Sequence, residues 1–166
     1  MNGSITDFHS RISARAVAAG WMVAFSSMIL WGALAGGLGL WNFDLAVLPQ
    51  MGGGFWLFAA VAWIFSSFCG AYVASTIGRS TNTRDGSIHG IIVWAGSSVL
   101  AYTWSFLVVG NFWGINLAAS SPSYLFAIFF GDIFALGAAY LGGRLASYSE
   151  QKARHKEREM EHRLAA

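Results

Sequence analysis

Four apolar stretches, 16–41, 55–78, 87–110 and 123–146, constrain this chain more than any other feature of its sequence. As a helix rising about 1.5 Å per residue, each is long enough to cross about 30 Å of hydrocarbon. In such a medium backbone amides must pair within their own segment, so the stretches are expected to be α-helices; a closed barrel would need short alternating strands instead. None has a proline in its core, and polar breaks separate them: 42–54 with Asp44, Pro49 and three consecutive glycines, 79–86, and 111–122, which ends in Ser-Ser-Pro. The chain is 55% hydrophobic and 11% charged, against about a quarter charged in ordinary soluble proteins, so a soluble fold could not hide its apolar surface. A net charge of +2 without a basic patch argues against nucleic acid as a partner.

The predicted architecture is an all-α membrane protein with four transmembrane helices in a domain spanning 16–146. It is flanked by an N-terminal segment, 1–15, and a charged C-terminal helix, 147–166. A cleaved signal peptide is the competing account of the N-terminus, since Arg11 and Arg15 precede an apolar run and Ala33-Leu34-Ala35 resembles a cleavage site. The run is far longer than the roughly 7 to 15 residues of a signal core, so it is read as a retained helix. Ile5, Phe8 and Ile12 recur at helical spacing after Ser4, which suits a short interfacial helix.

Basic residues set the expected orientation. Arg11 and Arg15 precede the first helix, Arg79 and Arg84 lie between the second and third, and Arg144, Lys152, Arg154, Lys156, Arg158 and Arg163 close the chain. The two opposite loops have none, so both termini and the middle loop are expected in the cytoplasm. Trp41, Trp56 and Trp113 then fall at the outer interface, where an indole keeps its ring in lipid and its N–H near water.

Small residues recur at every fourth position of two helices. The second has Ala62, Ser66, Gly70, Ala74 and Gly78, then Arg79; the fourth has Ala127, Gly131, Ala135, Ala139 and Gly143, then Arg144. Such stripes let backbones approach in lipid, where helix association rests on packing and hydrogen bonds. Ile64, Phe65, Phe68 and Tyr72 on one helix, and Phe126, Phe129, Phe130, Ile133 and Phe134 on the other, form bulky faces suited to lipid or a partner subunit. The first and third helices match more weakly, at Gly20 with Gly90, Val23 with Val93, Ser27 with Ser97 and Leu30 with Leu100. Together the matches suggest a duplicated helical hairpin, its halves related by an axis along the membrane normal. Gly32 and Gly36 suggest one more close-contact patch, and Cys69 reads as a small packing residue.

Beyond Ser147 the pattern changes to charge: Glu150 stands four residues before Arg154 and Glu159 four before Arg163. These spacings predict a solvated extension of the fourth helix, because Ala153, Met160 and Leu164 are too sparse for a coiled-coil seam. Contact with anionic lipid or docking to a partner are the two uses such a helix suggests.

Asp132 is the one acidic residue inside a hydrophobic span, about 13 Å along the helix from Ser123. A carboxylate there is costly unless protonated or paired. Ala135 and Ala139 share its side of the helix, and Ser98, Tyr102 and Thr103 on the third helix and Ser66 and Ser67 on the second lie at similar depth. Either Asp132 pins two helices through one of those hydroxyls, or it binds a proton or cation.

A second constellation, Arg84-Asp85-Gly86-Ser87-Ile88-His89-Gly90 followed by Trp94, opens the third helix. Asp85 is placed to cap it, Gly86 and Gly90 form a GxxxG contact, and the four-residue spacing brings the Asp85 carboxylate near the His89 ring. One His and one Asp fall short of a metal site, so no metal is expected. The stretch R-D-G-x-x-H-G-x-x-x-W resembles a segment of small four-helix bacterial membrane proteins of the YrzE type or PhnA-like. That resemblance covers mainly helices two to four and implies a bacterial cytoplasmic membrane, but no activity; Asp132 lies outside the motif.

No Ser-His-Asp set, HExxH or phosphate-binding glycine loop is present, and no pair of histidines faces across the spans as a bis-histidine haem requires. Neither an enzyme nor a cofactor is expected. The leading expectation is a non-catalytic membrane subunit that lies in the lipid bilayer of the inner membrane and associates with itself or a larger complex. The alternative is a small channel or transporter whose pathway includes Asp132.

Overall fold

The computed structural model describes residues 12–40, 53–80, 82–109 and 122–164. They form four helices: α1 (Ala14–Gly37), α2 (Gly53–Ile77), α3 (Thr83–Val109) and α4 (Pro122–Leu164). Among the described residues, three helices are long and apolar enough to cross a membrane: Ala14–Gly37, Gly54–Ile77 and Ile128–Leu164. The sequence at 1–11, with Ile5 and Phe8, and the segments holding Trp41 and Trp113 lie outside the described residues.

The helix ends have visible causes. Ser13, in extended conformation, begins α1 by accepting the Ala16 amide on its hydroxyl. The helix stops earlier than its apolar run, because Gly39 turns left-handed at φ +69 while its amide donates to Gly36 O and the Leu40 amide to Ala35 O. This pair of bonds satisfies carbonyls left over at the helix end. α2 ends the same way: Arg79 donates to Thr76 O, Ser80 to Ser75 O, and Arg79 takes the left-handed position at φ 48. An arginine there lacks the freedom of glycine, at a cost of about 1 kcal/mol.

α3 begins at Thr83, with the Asn82 side chain accepting the Arg84 amide at 3.0 Å. The expected start at 87 is thus four residues late, and Asp85 lies inside the first turn rather than ahead of it. There its negative charge complements the helix dipole. α4 runs unbroken into the charged segment; about 27 Å of helix lies at 147–164. Arg154 and Glu150 pair at 3.1 Å, and His155 and Glu159 at 3.2 Å, each one turn apart.

Adjacent helices run antiparallel, so α2 and α4 are parallel, and they make the most extensive contact in the bundle. α2 also packs on α1 and α3, and α3 on α4; among the described residues α1 and α4 lack a comparable contact, so the α2–α3 pair separates them. The interior is small rather than greasy: Ala62, Ala71, Ala74, Ala135 and Ala139 are buried, as are Gly70, Gly131 and Gly143, while Gly78 is half-buried. Phe126, Phe129, Phe130, Ile133 and Phe134 point outward. This inverts the soluble arrangement, as an apolar solvent allows.

Backbone meets backbone at two crossings. A Cβ placed on Gly20 of α1 would lie 2.6 Å from Gly70 O and 2.8 Å from Ala74 Cβ. One on Gly90 of α3 would lie 2.9 Å from the Ala139 carbonyl carbon and 3.2 Å from Ala71 Cβ. Gly86, in the first turn of α3, and Gly143, midway along α4, close against each other in the same way. Gly20 thus faces Ala74 as Gly90 faces Ala139, although the carbonyl nearest Gly20 is that of Gly70, one turn before Ala74. Farther along, Trp31 sits edge-on to Phe58 and Phe65, at 5.5 and 5.8 Å between ring centroids, so rings separate α1 from α2 there.

Two packing expectations need correction. Gly32 has nothing within 4 Å of a Cβ added to it, so it is not a close-contact position. It lies beyond the crossing, where the aromatic spacers hold α2 away, and Gly36 serves the helix end through its carbonyl. Phe68, assigned to an outward face, instead lies against α4: a Cβ on Gly142 would be 2.6 Å from Phe68 O and 3.2 Å from its ring. A helix with three neighbours has less outward surface than a two-faced pattern implies.

Candidate functional site

Asp132 is held from two other helices. Trp63 Nε1–H of α2 donates to Asp132 Oδ1 at 2.9 Å, and the Tyr102 hydroxyl of α3 donates to Oδ2. Parallel packing explains the first bond: Trp63 and Asp132 each stand ten residues after the first residue of their helices, so they lie level. Tyr102 reaches the same level from an antiparallel helix, its side chain leaning back toward its own N-terminus. The carboxylate therefore pins three helices rather than two.

The other polar candidates divide. Ser66 is buried but turned toward α1, where its hydroxyl donates to Ser27 Oγ at 3.0 Å, so it is not part of the Asp132 node. Thr103 is exposed. Ser67 and Ser98 are 2% and 6% exposed, yet their hydroxyls have no hydrogen-bond partner among the described residues; the same holds for Ser97 Oγ and Trp94 Nε1. Such groups are uncommon, since a buried polar atom without a partner costs about 1 to 3 kcal/mol.

Trp63 escaped the sequence reading, although it carried a signal. An indole in mid-span, away from the interfacial belts, leaves an N–H that must find an acceptor inside the protein. Asp132 is the strongest acceptor at that depth, since a carboxylate accepts more strongly than the serine hydroxyls beside it. Trp21, whose Nε1–H donates to Val93 O at 3.2 Å and so ties α1 to α3, follows the same rule.

The second constellation forms a separate polar cluster where α1 begins, α2 ends and α3 begins. His89 is fully buried. Its Nδ1 lies 2.9 Å from Asp85 O and 3.3 Å from Ser80 Oγ, while Nε2 accepts the Ser13 amide at 3.3 Å. A carbonyl only accepts and an amide only donates, so Nδ1 carries the hydrogen and the ring is neutral. The contact with Asp85 runs through its backbone carbonyl, one turn back, and not through the carboxylate paired in the sequence reading. Ser13 and Ser80 were also missed, because only the closed hairpin brings 13, 80 and 89 together.

Gly86 and Gly90 give α3 its close contacts with α4 just beyond, and Ser75 Oγ donates to Gly86 O at 2.9 Å across the α2–α3 crossing. Arg84 is exposed, and Trp94 is half-buried one turn past Gly90. Cys69 is a half-buried free thiol. Among the described residues no three His, Cys, Asp or Glu side chains gather closely enough to hold a metal ion.

Chemically, the Asp132 node can bind a proton or hold helices in register, and the His89 cluster can fix a neutral imidazole between two backbone groups. In comparison with known proteins, no family model matches the chain, and no curated protein or solved structure matches it.

Proposed function

We propose that this protein is a non-catalytic integral membrane subunit that associates with copies of itself or with the other subunits of a larger membrane complex. In this reading all four helices cross the bilayer, α3 included. Both termini and the Arg79–Arg84 turn face the cytoplasm, where short basic segments are retained. The resemblance of the Arg84–Trp94 segment to small bacterial four-helix proteins supports placement in a bacterial cytoplasmic membrane.

The observation that carries the proposal is the end of α4. From Tyr148 to Leu164 every residue is exposed except Glu150 and Arg154, which pair with each other. A helix this polar on all sides gains no packing from its own chain, and exposed i,i+4 ion pairs contribute only about 0.3–0.5 kcal/mol each. Such a projection suits a docking element for another chain. The outward Phe126, Phe129, Phe130, Ile133 and Phe134 offer a second contact surface within the bilayer.

Native mass measurement after mild detergent extraction tests the proposal. A defined oligomer or complex is expected, and removal of 148–166 should weaken it; a lone monomer from the native membrane would contradict it.

A further inference from the structure

Two layers of contact brace the interior between α2, α3 and α4. In one, Trp63 and Tyr102 grip Asp132. In the other, Gly90 of α3 lies against Ala139 of α4 and Ala71 of α2, so tightly that an added Cβ would strike the Ala139 carbonyl. The residues between the layers follow from helical spacing. On α2, Ser67 is one turn from both Trp63 and Ala71; on α3, Trp94 and Ser98 continue the Gly90 stripe to Tyr102; on α4, Ala135 lies between Asp132 and Ala139. Two of the three helices thus present this gap with unsatisfied polar groups: the Ser67 hydroxyl of α2 and the Ser98 hydroxyl and Trp94 N–H of α3 are buried and have no partner among the described residues, while α4 presents Ala135.

We infer that this gap is a hydrated pocket beneath Asp132, holding bound water that makes the carboxylate a reversible proton-binding site. Water suits the set, because two hydroxyls and one N–H offer both donors and acceptors and buried water commonly makes about three hydrogen bonds. The Gly90–Ala139 contact lies between this set and His89.

Tyr102 supplies the means. An indole N–H only donates, but a phenol can exchange its role. When a proton from bound water adds to Oδ2, that oxygen donates to Tyr102 Oη, and the Tyr102 hydrogen turns to a water in the pocket. The water that gave the proton recovers one from bulk solvent, so the group gains one proton in all and no other bond changes. This inference is independent of the association proposed above, and neither fails with the other.

Infrared difference spectra between acidic and neutral buffer, recorded on the full chain in lipid vesicles, test it. The expected spectrum has a carboxylic C=O band accompanied by an O–H stretch of bound water that shifts in heavy-oxygen water. Asp132→Asn should remove the C=O band, and Tyr102→Phe should shift it while leaving the carboxyl in place, which guards against misfolding of the first variant. Ser67→Ala with Ser98→Ala should remove the water band. Absence of the C=O band in the parent chain, a C=O band without an isotope-sensitive water band, or a water band unchanged in the double serine variant would each overturn the inference.

Discussion

Trp63 and Tyr102 each give Asp132 one hydrogen, and phenylalanine replaces either ring while withholding that hydrogen. Hydrogen bonds between membrane helices average about 0.6 kcal/mol, so each single change is expected to destabilise the bundle by about 0.5–1.5 kcal/mol. Asp132→Leu should cost more in the parent chain than in the Trp63→Phe/Tyr102→Phe background, where the donors it strands are gone. Reversible unfolding in mixed detergent measures both; equal costs in the two backgrounds would mean that the node contributes nothing. Arg79→Gly should stabilise by about 1 kcal/mol, because it relieves the left-handed backbone without removing a helix-end bond. Asp132 could be singled out in the sequence because charge is rare in an apolar run. Its partners were half legible: Tyr102 by depth, Trp63 not, since tryptophan reads as greasy until its N–H must be satisfied. His89 illustrates the other limit, with partners 76 and 9 residues away whose meeting depends on how the helices close.

At the scale of the element, small-residue spacing reveals which helices can approach closely but not which glycine meets a neighbour. Gly20 and Gly32 both sit in apolar α1. At Gly20 an added Cβ runs into α2, whereas at Gly32 it meets open space. Gly20→Ala is therefore expected to destabilise the bundle by at least about 1 kcal/mol, and Gly32→Ala to be neutral or stabilising by up to about 1 kcal/mol through helix propensity. Resistance to denaturing detergent, compared across the two variants, checks the contrast; equal sensitivity would refute the crossing at Gly20. The existence of four helices was legible from hydropathy. Their ends were less so: α1 stops at a left-handed glycine inside its apolar run, and α3 starts at Thr83, capped by Asn82, ahead of the first apolar residue.

For the whole molecule, sequence order dictates that neighbouring helices run antiparallel, yet it leaves their arrangement in cross-section open. The central place of α2, and with it the inward position of Phe68, emerged only from the packing. Gly20 meets Ala74 in one hairpin as Gly90 meets Ala139 in the other, but the two hairpins are not equivalently placed. α3 packs on α2, whereas α1 lacks a comparable contact with α4 among the described residues. The bundle is expected to be folded in a bilayer, with α1 and α2 crossing it in opposite directions. Single-cysteine variants in a Cys69→Ser background, labelled with a membrane-impermeant maleimide on intact cells, test it most directly. Leu40→Cys, past the end of α1, should react from outside, while Arg79→Cys and Leu164→Cys should react only after permeabilisation. Labelling of Leu40→Cys and Arg79→Cys from the same side, or recovery of the protein in the soluble fraction, would contradict it.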